Sequence, residues 1–417
     1  MFKKIIFGLF IFMLIVPMIV FASANSLALV GGKYYDSLEE AIANAGSNDT
    51  IKLISNVVLD NTLDINKTVN IDLNGNNVTA PEMVFKVNGG VLNVSGNGII
   101  RETKPNYGAI AVIGSTNSAD NNYSVVNVGE NVKLEGWSGI FITHDSSKSY
   151  GVVVNLDGDI NAVNDMSGET GIGVYVNGNI KHQIGAPVVN IGDDAEITST
   201  GNGLYIAGYS TFNIGKAYIE GDESGIGIKA GKLNINGATV ISEGEDKTPT
   251  GGYNNGIKAS GTAIQIDSNN GYAGNIELDI NSGTFRSKNS YVIYEYIGKG
   301  SDTTVDSIDV SGGTYRAEGS KPVFGVSDYL KNKHTGFISG GRYTSDPSLY
   351  LKSGYTATLD DNLYIVTAGS SKVVSGDNIN TSSDNNVIKV ISTIVIIGVA
   401  VVLIYMNREK ILSLFRK

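Results

Sequence analysis

Cysteine is absent from this 417-residue chain. No disulfide can brace it, no thiol can act as a nucleophile and no thiolate can hold a metal, so a buried core must stabilise it. Histidine and tryptophan are nearly as scarce, at three and one. His144, His182 and His334 are far apart in the chain and make no metal-ligand spacing. The nonapeptide calcium pattern GGxGxDxUx does not occur either, so no metal ligand is assigned and calcium rests on acidity alone.

Long apolar runs are missing from the interior and occur only at the ends. Residues 1–24 open with Lys3 and Lys4, continue through IIFGLFIFMLIVPMIVF and close on Ala22, Ser23 and Ala24. This is the pattern of a secretory signal peptide cut before Asn25. At the other end, VISTIVIIGVAVVLIYM is uncharged, and residues 387–406 are long enough for a transmembrane helix in a lipid bilayer. The tail 407–417 carries four basic residues against Glu409, which predicts a cytoplasmic C-terminus and an extracellular N-terminal domain. No LPxTG-like pentapeptide precedes the run, which favours a retained single-pass anchor over a wall-sorting signal. This plan, without cysteine, suits a bacterium with one membrane.

Positive charge is also in deficit. With the seven basic residues and one acidic residue of the two ends set aside, residues 25–386 hold 24 basic and 40 acidic side chains, a net charge of −16. Such a surface repels phosphate backbones, so no nucleic acid is expected as a partner.

Glycine, by contrast, is abundant, at 52 residues, and it punctuates a repeat. VLNVSG, VVNVG, VVNLDG, VVNIG, TFNIG, KLNING, ELDINSG and SIDVSGG place an Asn or Asp at 93, 127, 155, 190, 213, 234, 279 and 309. The intervals are 34, 28, 35, 23, 21, 45 and 30 residues, and the longest suggests a skipped copy with insertions. Each copy is followed by two further short runs, as in TFNIG, AYIEG and GIGIKAG. Similarity recurs from the first run to the fourth, not between neighbours, which predicts three strands per coil and parallel stacking of about twelve coils. In residues 211–231 the alternation points Phe212 and Ile214, then Tyr218 or Ile219, then Ile226 and Ile228 to one side. Asn213-type positions are left to face outward or to stack as amide ladders.

With these features the chain resembles the right-handed parallel β-helix of the pectin-lyase-like superfamily. YYDSLEEAIANAGSNDTIKL resembles the opening unit of that superfamily. Ser37 and Glu40 form a capping box, and Leu38, Ala41, Ile42 and Ala45 an apolar stripe, of a capping helix over about 36–46. NSGTF, SGGTY and SGGRY, ending at Phe285, Tyr315 and Tyr343, resemble repeats of β-helical surface proteins of Gram-positive bacteria, with a closing unit over about 337–368. The expected fold class is thus all-β: a right-handed parallel β-helix solenoid over 25–368 with an N-terminal helix, a polar linker over 369–386 and one C-terminal transmembrane helix.

The resemblance implies either an adhesin-like or structural surface protein or a polysaccharide lyase or glycoside hydrolase. For catalysis the sequence offers little: one adjacent carboxylate pair in the repeats, Asp193 and Asp194, and Arg101, Arg286 and Arg316 isolated along the chain. No catalytic residue and no cofactor is assigned. For binding it offers aromatics, with 21 tyrosines. Trp137 lies at a corner in LEGWSGIF, and YVIYEYIG sets Tyr294 and Tyr296 on one strand face next to Tyr291. These rings would serve as contact surfaces for sugars or pack on neighbouring coils. A polysaccharide or another cell surface is the expected partner.

Overall fold

The computed structural model describes residues 26–114, 123–145, 151–181, 185–247, 261–298 and 302–369. The chain divides into units Met1–Gly369 and Ser370–Lys417, and every described residue belongs to the first. The expected leader, membrane segment and basic tail, with the linker beyond Gly369, lie outside the described residues. Among the described residues no helix is long and apolar enough to cross a membrane.

The described chain is all-β and built mostly of parallel strands stacked coil on coil, consistent with a solenoid. Residues 211–231 show the unit: strands Thr211–Ile214, Tyr218–Gly221 and Ser224–Ile228, after which Gly231–Ser242 opens the next coil. Each strand pairs in parallel with its equivalents one coil before and one coil after. The third strands form a ten-stranded sheet from Leu63–Ile65 to Phe324–Gly325. Among the described residues ten full coils therefore replace the twelve expected, because both ends of this unit leave the parallel scheme. Asn234 pairs directly with Asp279, so the 45-residue interval is a single coil with an insertion and no copy is skipped.

Alternation fills the interior. Phe212, Ile214, Ile219, Ile226 and Ile228 are buried, whereas Tyr218 is half-buried on the outer side, which decides between Tyr218 and Ile219. In the third column Val112, Ile142, Val176, Ile206, Ile228 and Ile266 sit in register above one another. Burying each such side chain stabilises the fold by about 1.5–3 kcal/mol. Towards the C-terminal end Phe285, Tyr315 and Tyr343 take over an interior column, with successive ring centroids 4.8 Å apart. Tyr315 and Tyr343 donate their hydroxyls to the carbonyls of Gly312 and Gly340, so neither phenol is buried unpaired.

The Asn positions form one amide ladder. Asn93, Asn127, Asn155, Asn190, Asn213 and Asn234 each donate from Nδ2 to Oδ1 of the preceding rung, over 2.5–2.9 Å. The ladder begins one coil earlier than the sequence pattern suggested, at Asn70, which donates to the carbonyls of Ser47 and Asp49. Glycine has a similarly specific place at the start of the third strand. A Cβ on Gly173 would lie 2.3 Å from Ile197, one on Gly203 2.5 Å from Ile219, and one on Gly225 2.5 Å from Val240. The second-column side chain occupies that volume, so only glycine fits.

Both ends leave the parallel scheme. Ala28–Val30 pairs antiparallel with Lys33–Tyr35 and Thr50–Leu53. Helix α1, Leu38–Asn44, follows, with the Ser37 hydroxyl accepting from the Glu40 N–H at 3.1 Å and with Leu38 and Ala41 buried. At the other end a hairpin, Tyr355–Asp360 with Leu363–Ala368, pairs antiparallel with Arg342–Tyr343. A short helix α2, Asp328–Lys333, was not expected from the sequence. It is capped by Ser327, which also bonds the buried carboxylate of Glu295 in the last coils. Such pieces cover strand edges that a bare parallel stack would expose.

Candidate functional site

Two places on the outside of the stack gather chemistry. The first is the outer face of the third column. Phe141, Tyr175 and Tyr205 are in register there, with successive centroids 5.1 Å apart and planes within 8°. Trp137 leans on Tyr175 at 5.7 Å and 52°, and its indole N–H donates to the Thr170 carbonyl at 3.0 Å. Its backbone N–H donates to Glu102, whose carboxylate also accepts from the N–H groups of Asn106 and Tyr107. Burial raises the pKa of Glu102, although these donors pull the other way. Burial also pushes the Tyr175 phenol up to about 12. The structure therefore places Trp137 in a packed, hydrogen-bonded cluster.

Beyond Tyr205 the same row continues through Gly227 and Gln265 to Tyr294. Tyr294 stacks on Tyr291 at 5.2 Å, and Lys321 stands 5.2 Å from the Tyr291 ring while pairing with Asp246. Tyr296 shares the strand face with Tyr294, in register with Asp267. All three tyrosines are half-buried. Trp137 and this pair share one face, five coils or about 24 Å apart at 4.8 Å per coil.

The second place is a groove of about 760 Å³ where third strands turn into first strands. It crosses several coils, because its residues are equivalent corner positions of successive coils. Thr211, Lys232 and Glu277 form part of its floor, one above the other in register. Tyr123 and Tyr209 line it as well, each with its ring against a glycine. A Cβ on Gly151 would meet the Tyr123 ring at 2.7 Å, and one on Gly274 the Tyr209 ring at 2.8 Å. Its charges are paired: Lys232 with Glu277 at 3.5 Å within the groove, and Asp306 with Asn275 at 2.7 Å and, outside the lining, Lys333 at 3.3 Å. Sequence reading missed this groove, since its residues are scattered from 123 to 306. The one available signal was a polar residue, Thr211, Lys232 or Glu277, two positions before the rungs Asn213, Asn234 and Asp279.

Two of the three arginines, Arg101 and Arg286, are not isolated. Arg101 binds Glu135 at 2.5 Å in the next coil, and Arg286 is held between Glu243 and Glu318. Those carboxylates raise the Arg286 pKa against its partial burial, so it is fixed as a cation and is a poor base. The sequence lacked this information because the partners are more than thirty residues away. Asp193 is a turn residue whose pKa is lowered by the Lys216 N–H and ammonium. His334 meets the Val305 carbonyl, and His182 lies outside the described residues. Among the described residues no three His, Asp or Glu side chains are placed to hold a metal ion.

Comparison with protein-family models, curated proteins and solved structures finds no match to this chain.

Proposed function

We propose that this chain is an adhesin-like display protein of a bacterial surface, whose corner groove binds a neutral polysaccharide without cleaving it. In this reading the stack is a right-handed parallel β-helix of the pectin-lyase-like kind. It is exported by residues 1–24 and held by residues 387–406, with the C-terminus inside. The observation that carries the proposal is the groove: two tyrosine rings beside a polar floor whose charges are already paired. Aromatic faces suit the apolar faces of sugar rings, and hydroxyl and amide groups suit their hydroxyls. Among the described residues no unpaired cation lines the groove, and residues 25–386 carry a net charge of −16, so an acidic polymer would be repelled.

The test is binding of the purified protein to neutral and uronate-rich polysaccharides, with product analysis of each mixture. Retention of neutral polymers alone, reduced about tenfold by Tyr209→Ala, is expected, a loss of about 1.4 kcal/mol. The convergence of Arg286 with Glu243 and Glu318 favours a second reading, a surface-anchored polysaccharide lyase or glycoside hydrolase. Release of shortened chains or unsaturated ends would establish that reading instead. Orientation is checked by protease added to intact cells, which should remove epitopes of 25–368 and spare the membrane-embedded end.

A further inference from the structure

We propose that Lys229 and Asp267 condense into an intramolecular amide, a covalent rung between two successive coils. Lys229 directly follows the strand Ser224–Ile228, and Asp267 lies in Ile264–Ser268, its neighbour in the third column. The lysine Nζ is 2.5 Å from Asp267 Oδ2, and the two side chains are 4% and 2% exposed. The rings of Tyr205 and Tyr272 enclose the amine, with centroids 5.4 and 5.1 Å from Nζ.

The surroundings are poor for an ion pair and good for a condensation. Taking both charges out of water is costly unless further hydrogen bonds support them. Asp267 Oδ1 meets no donor in good geometry among the described residues, although Asn269 lies close. Burial pushes the lysine pKa down and the aspartate pKa up, so both groups tend to their uncharged forms. The neutral amine then has a free lone pair, and the protonated carboxyl has hydroxide as its leaving group in the form of water.

In the reaction the Nζ–Cγ bond forms and the Cγ–OH bond breaks. One amine proton leaves with that hydroxyl as a water molecule, and no oxidant or reductant is needed. The proton passes directly from Nζ to the departing oxygen, 2.5 Å away, beside the Tyr272 ring. Two groups fixed in contact react as if at very high concentration, up to about 10⁵–10⁸ M in favourable cases. Beside them a crevice of about 10 Å³, opened by the missing side chain at Gly227, is close to the size of one water.

The linkage would clamp the coil that carries the insertion between Ser242 and Ile264 to the coil before it. Peptide mapping of the purified full-length chain by mass spectrometry tests it. The expected product is a branched peptide carrying both residues, lighter by one water than its two linear parts and uncut after Lys229. Lys229→Arg must abolish it, and Asp267→Asn should expel ammonia and restore it. Linear peptides only, in the wild-type chain, would overturn the proposal and leave a buried ion pair. A branched peptide that survives Lys229→Arg would overturn it equally.

Discussion

The outer faces of the second and third columns rest on the same aliphatic interior, yet they are finished in opposite ways. On the second column, charged side chains pair at the partly exposed surface, Arg101 with Glu135 of the next coil and Lys133 with Glu135 of its own strand. On the third, Phe141, Tyr175 and Tyr205 stack under cover, and the pair Lys229 and Asp267 is sealed beside them. Stacking brings equivalent residues together on both faces. Solvent access then decides how much a contact contributes, since an exposed pair is screened and a buried one is not.

The sharpest way to break this contrast is to remove one partner on each face. Lys229→Met leaves Asp267 buried alone and should cost about 3–5 kcal/mol, or prevent folding. Arg101→Met should cost no more than about 1 kcal/mol. Urea unfolding of both variants measures the difference, and equal losses would mean that the covered face is not covered in solution. Gly203→Ala tests the shared interior, because its methyl would press on Ile219; overpacking of about 1–3 kcal/mol is expected as a lowered unfolding midpoint.

The amide ladder lies between these extremes. Asn190→Ala removes both its hydrogen bond to Asn155 and the acceptor for Asn213, on partly buried groups. A loss of about 1–2 kcal/mol is expected by the same measurement. The smallest effect should appear as a pH slope. Glu102 has a raised pKa in the folded chain, so its contribution is full below the unfolded value and is lost as pH rises through the folded one. Wild-type stability should therefore fall over that window above the ordinary carboxylate range, and Glu102→Gln should flatten this part of the profile in thermal unfolding.

Much of the stack was legible in the sequence because one-dimensional order survives in a repeat. All eight Asn and Asp positions from 93 to 309 occupy equivalent rungs, and residues 211–231 form one coil. Asn70 was passed over because in VNIDLNG glycine comes only five residues after the Asn, against two to four in the other copies. The 45-residue interval was misread as a skipped copy because length alone does not separate an inserted loop from an added coil. Of the four aromatic residues singled out, Trp137 proved to be packed into a cluster, while Tyr291, Tyr294 and Tyr296 sit half-buried five coils away.

By itself the amino-acid order determined strand identity and the inward side of each strand, since these depend on alternation within one coil, whereas the side chain of the next coil decided where only glycine fits, as at Gly203 against Ile219. Tertiary stacking decided which charges pair, where Tyr123 and Tyr209 flank a common groove, and that Lys229 meets Asp267. Those contacts run along the stack axis, between residues 19 to 46 apart for most pairs, and loop lengths that carry no periodic signal set which of them coincide.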